Sequence, residues 1–149
     1  MVSITEEEID VAELTARVSN DDAGANVIFL GTTRRWTENP ESARRETTEL
    51  AYECYEKMAV KEMEKLGIEA SKRWNLKEYA MVHRVGTVPV GAASVGVAVS
   101  SGHRKEAFEA ASWLIDTLKK VVPIWKQEIW ADGSEEWIHP GIKTPADSK

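Results

Sequence analysis

The residues best suited to chemistry are cations at the ends of apolar segments. In SSGHR (100–104), small residues precede His103 and Arg104 at the junction of an apolar run and a helical one. Free backbone N–H groups and the positive end of the helix dipole favour an anion at such a junction, and His103 and Arg104 add donors there. The plain alternative is that His103 caps the helix and Arg104 is solvated. In LKKVVPIWK (118–126), Lys119 and Lys126 stand seven residues apart. One continuous helix would put them on one face, but Pro123 stops the helix between them, so they converge only if the chain reverses. Lys119 could equally serve the helix C-terminus, as its neighbour Lys120 does. Arg34 and Arg35 follow an apolar strand directly, and a guanidinium suits bidentate contact with phosphate or carboxylate. Glu128, two residues beyond Lys126, shares its face of a strand and either orients that lysine or neutralises it.

Other chemistries find little support. GxxxxGK[ST], GxGxxG, HExxH and CxxC are all missing, and His83, His103 and His139 lie far apart, so neither a metal site nor an organic cofactor is expected. The 149 residues suit one domain, and 42% hydrophobic residues exclude a disordered chain. A net charge of −6 argues against a nucleic-acid binder. That charge belongs to residues 1–25, which hold seven acids and one base, so it does not describe a site elsewhere. Cys54 is the single cysteine, which excludes an intrachain disulfide. No apolar run is long enough to span a bilayer and no signal peptide is visible, so a cytoplasmic protein is expected.

The elements that must position these residues follow from periodicity. Val2–Ile4 reads as a short strand, and residues 10–19 as a helix with Val11, Leu14 and Val18 on one face. Residues 25–33 form a central strand, and the polar stretch 34–46, with four arginines, reads as a loop. Thr47–Tyr55 alternates, with Leu50, Tyr52 and Cys54 on one face. Residues 57–74 read as a helix marked by Met58, Met63 and Leu66 and weakened by Gly67. Strands follow at 79–85 and 94–100, with turn chemistry between them at Gly86, Pro89 and Gly91. The clearest helix spans 104–121, with Phe108, Ala111, Ile115 and Leu118 at helical spacing, and Pro123 ends it. Ile124–Trp130 and Trp137-Ile138 flank Asp132-Gly133 as a closing hairpin. The order predicts an α+β layer of helices on a mixed sheet.

GTTR (31–34), YECYEKMA (52–59), VHRVGTVPVG (82–91), SSGHR (100–104), LKKVVPIWK (118–126) and DGSEEWIHPG (132–141), in this order and at these intervals, resemble the large, catalytic subunits of molybdopterin synthase. The resemblance runs over residues 1–141 as a single domain and leaves 142–149 as a flexible tail. It implies an α/β-hammerhead fold with an additional antiparallel β element. It implies a sulfur transferase that converts cyclic pyranopterin monophosphate to molybdopterin in molybdenum cofactor biosynthesis. The sulfur would come from the C-terminal thiocarboxylate of a small ubiquitin-like subunit. Two large subunits would form a homodimer with one small subunit at each end, a heterotetramer, with no metal, no cofactor, no nucleic acid and no membrane. The essential lysines would be Lys119 and Lys126. Arg34, His103 and Arg104 would contact the substrate's anionic groups, and Glu128 would belong to the same substrate site. Lys119 is assigned to the thiocarboxylate end and Lys126 to the substrate, or the reverse, both with proton transfer, since a lysine crowded by other cations can act as acid or base. Arg35, Arg44 and Arg45 receive no role. The competing readings are a non-catalytic α+β anion-binding domain, which needs no Lys126, and a partner-docking domain built on the tryptophans that cluster after residue 112.

Overall fold

The computed structural model describes residues 1–39 and 42–138. Among these residues three helices and two sheets make up the α+β architecture. The first sheet runs in the order β1 (Val2–Thr5), β5 (Glu78–Arg84), β7 (Ala93–Ser101), β2 (Ala25–Thr32). β1 and β5 are parallel, and the other neighbours are antiparallel. The second sheet pairs β3 (Trp36–Asn39), β4 (Ser42–Cys54), β8 (Ile124–Trp130) and β9 (Glu135–Ile138), with β6 (Gly86–Pro89) also on β4.

The first sheet is buried on both faces. α1 (Val11–Arg17) covers one, packing Leu14 with Ile9, Val18, Val82 and Ala98. Its cap Asp10 accepts the Glu13 N–H at 3.1 Å. On the other face α2 (Glu56–Trp74) and α3 (Arg104–Val121) bury Met63, Leu66, Leu114, Ile115 and Leu118 against Met81, Val97 and Val99. Residues 95, 97 and 99 point to one layer and 96 and 98 to the other, as the period of two requires. Gly67 sits mid-helix because the Tyr79 ring packs onto it, where a Cβ would collide. Packing therefore outweighs the modest helix cost of a glycine.

Several sequence expectations change. Within the stretch 34–46, residues 36–39 and 42–46 are strand rather than loop: β3 pairs with the start of β4, with Trp36 opposite Glu46 and Thr37 opposite Arg45. Arg44, Arg45 and Glu46 are polar at successive positions, so the stretch lacks the alternation that marks a half-buried strand. Arg44 stacks on Trp36 at 4.2 Å, Arg45 on Trp130 at 3.8 Å, and Arg35 pairs with Glu46 at 3.3 Å. The turn region after Val85 contains a strand, β6. Phe108 is 63% exposed, and the buried stripe of α3 runs through Ala107, Ala111, Leu114, Ile115 and Leu118. Met58 and Val11 likewise face outward rather than into the core. The closing hairpin is present as read, with Gly133 at φ 87° and the Asp132 carboxylate accepting the Ser134 N–H at 2.8 Å. His139 and the tail 142–149 lie outside the described residues. Among the described residues no helix is long and apolar enough to cross a membrane.

Candidate active site

A cavity of about 390 Å³ opens where the two sheets and the C-terminal end of α3 meet. That volume suits a small-molecule ligand. Three segments deliver its charged groups. β2 ends in a bulge at Gly31/Thr32, after which Thr33 is tied by its N–H to Ala92 O at 3.0 Å and by its carbonyl to Gly91 N–H at 2.9 Å. Arg34 leaves this fixed point into the cavity mouth. A Cβ on Gly31 would stand 2.7 Å from Val95 Cγ1, so a side chain there would crowd the cavity wall.

The chain then reverses at Pro123, as the convergence of the two lysines requires. Val122 caps α3 in an extended conformation, ψ 130°, its N–H on Leu118 O. Proline disfavours the helical region for the residue before it, so the helix stops and β8 turns back along it. Lys119 in the last turn of α3 and Lys126 on β8 thereby line the same cavity. Ile124, Lys126 and Glu128 alternate onto that face of β8, and β4 presents Leu50 and Tyr52 opposite Glu128 and Lys126. Glu128 is buried, and its Oε1 accepts the hydroxyls of Thr47 at 3.0 Å and Thr37 at 3.4 Å. Among the described residues no ion pair engages Arg34, Lys119 or Lys126. Three cations against one carboxylate leave the cavity positive and its lysines available to a ligand.

Of the residues singled out from sequence, Arg34, Lys119, Lys126 and Glu128 come together. His103 and Arg104 do not join them within one chain. They stand at the other end of α3, about 22 Å away by the rise of a helix. His103 occupies the N-cap position, but its side chain makes no capping bond, and both residues are exposed. The acidic residues of 1–25 surround α1, on the opposite face of the first sheet from the cavity.

Two lining residues were not anticipated. Tyr52 and His83 meet edge to face with centroids 4.9 Å apart. Burial raises the Tyr52 hydroxyl pKa; a hydrogen bond from Ser94 opposes this and the Glu128 charge adds to it. Burial lowers His83 to about 4 against the opposing pull of the Arg84 carbonyl. Both are therefore neutral at physiological pH. The alternation of Thr47–Tyr55 did place Tyr52 on the face of Leu50, but its register with Lys126 has no local signature. Among the described residues no cluster of His, Cys, Asp and Glu could hold a metal ion.

A cationic cavity with two lysine amines outside any ion pair among the described residues, on an α+β frame, suits a small anionic ligand. The comparisons specify the class. The family model "MoaE protein" matches residues 4–121. The molybdopterin synthase catalytic subunit of Bacillus subtilis is 41% identical over 143 residues, 96% of this chain and 87% of that one. The crystal structure of molybdopterin synthase from Staphylococcus aureus superposes with a TM-score of 0.84 at 36% identity, covering 91% of this chain and 95% of that one. A chain in a complex of subunits 1 and 2 of the molybdopterin-converting factor from Helicobacter pylori shares the fold, with a TM-score of 0.70 at 23% identity over 93% and 88%. The chain belongs to the MoaE family, and it is an enzyme of molybdenum cofactor biosynthesis.

Proposed function

We propose that the chain converts cyclic pyranopterin monophosphate to molybdopterin, taking sulfur from the C-terminal thiocarboxylate of a small ubiquitin-like subunit. The observation that carries this reading is the convergence of Arg34, Lys119 and Lys126 on one cavity. Both reactants bring negative charge, a phosphate on one and a thiocarboxylate on the other, and fixed cations bind both. Lys119 holds the thiocarboxylate end and Lys126 the pterin, and each amine moves a proton as the phosphate ring opens and the intermediate is released. Glu128 keeps the β8 face in register through Thr37 and Thr47 and stands beside Lys126.

His103 and Arg104 enter the same reaction through a second copy of the chain. One chain separates them from Lys119 by the length of α3, so a homodimer that packs this end of α3 against the partner's cavity completes the substrate-anion contacts. A homodimer with a small subunit at each end gives the heterotetramer. The test is to mix the chain with thiocarboxylated small subunit and precursor and follow the dithiolene product. Product formation is expected; tight precursor binding with no product from any thiocarboxylated partner would leave only an anion-binding domain.

A further inference from the structure

His83 is 5% exposed, on β5, in register with Val95 of β7, and it lines the cavity. Its Nδ1 lies 2.8 Å from the Arg84 carbonyl oxygen. A carbonyl only accepts, so Nδ1 carries the hydrogen and Nε2 of the neutral ring is left with a lone pair. Burial keeps that ring neutral, with its pKa near 4. No hydrogen bond engages Nε2 among the described residues, nor is it among their sealed, unpaired polar atoms. The Tyr52 ring, tilted 68° to the imidazole, fixes its plane.

The charged groups around it are Arg34 after β2, Lys119 on α3, and Lys126 and Glu128 on β8. The three cations only donate, and Glu128 Oε1 already takes two hydroxyls. A fully deprotonated inorganic anion such as sulfate only accepts, so it uses donors alone. A fixed neutral acceptor serves a ligand that also carries N–H or O–H groups on an uncharged polar ring. We propose that His83 Nε2 accepts a hydrogen bond from such a donor on the substrate ring, which makes His83 a specificity-determining contact distinct from the cations that hold the phosphate. The inference deepens the proposed reaction and rests on it.

The test uses His83→Phe, which keeps an aromatic ring against Tyr52 and removes the acceptor. The expected result is a KM for the precursor raised about tenfold, the worth of one hydrogen bond, with kcat within about twofold. Inhibition by inorganic sulfate, which has no hydrogen to donate, should be unchanged. An unchanged KM overturns the inference, as does an equal weakening of sulfate inhibition, which would mean the cavity as a whole has loosened. A second measurement needs no substitution: in the wild-type chain labelled with 15N-histidine, precursor should move the His83 Nε2 resonance and inorganic sulfate should not. No movement with saturating precursor overturns the inference even if the wild-type enzyme forms product. Movement without product formation retains the His83 contact and removes the proposed reaction.

Discussion

The two ends of α3 carry similar charges in opposite settings. At the N-terminal end, His103 and Arg104 sit where the helix dipole already attracts anions, yet both lie open to solvent in a single chain. At the C-terminal end, Lys119 lies where the dipole merely stabilises a cation, yet it is the lysine that joins a cavity. Residue type and dipole sense alone therefore do not say which end joins the cavity within one chain. What distinguishes them is what packs alongside: Pro123 turns β8 back past Lys119, whereas among the described residues nothing comparable covers His103. The C-terminal end joins a cavity in one chain, and the proposed homodimer would enclose the N-terminal end.

That contrast can be broken or sharpened, beginning with the largest effect. Lys119→Ala should lower kcat by about 10²–10⁴-fold, the usual worth of a positioned proton-transfer group. Lys120→Ala, one residue on and outside the cavity, should stay within about twofold. Equal losses would erase the distinction between cavity and surface. His83 gives a stability effect of similar size. Its pKa is lower folded, about 4, than unfolded, near 6.5, so the unfolded chain binds more protons between those values. Stability is then full above pH 6.5 and falls by about 3 kcal/mol as the pH drops to 4. Urea unfolding midpoints should follow that slope, and His83→Phe should flatten it. Glu128→Ala strands the Thr47 hydroxyl, 2% exposed, and should cost about 1–3 kcal/mol in the same urea assay. Finally, Arg104→Ala and Lys119→Ala should each be defective alone but regain about one quarter of wild-type activity when co-refolded, because half the dimers are mixed and each then holds one intact site. No recovery would place Arg104 outside the reaction.

Much of this arrangement was legible beforehand, for specific reasons. α3 announces itself through a long apolar stripe, β5 and β7 through continuous apolar runs because both are deeply buried, and the half-buried β2 through a similar apolar run. The β3–β4 hairpin escaped because, among the described residues, it is held by Arg–Trp stacking and by the Arg35–Glu46 and Arg45–Asp132 ion pairs rather than by a buried apolar face. Phe108 fitted the helical period yet faces outward, since alanines at 107, 110 and 111 suffice where α3 approaches the sheet closely. The roles expected of Lys119 and Lys126 came from ordered motifs; their meeting depends on a reversal at Pro123 and on β4–β8 register, both long-range. Tyr52 and His83 were invisible as site residues for the same reason: each looks like an ordinary strand residue until β4, β5 and β8 are brought together.

The central claim is that Arg34, Lys119 and Lys126 form the centre where sulfur is transferred. It is tested most directly by dithiolene formation in Lys126→Ala, with precursor binding and thermal unfolding measured on the same sample. The account predicts a folded chain that still binds the small subunit and loses at least about 10²-fold in product formation. Near-normal product formation in that folded variant would contradict it.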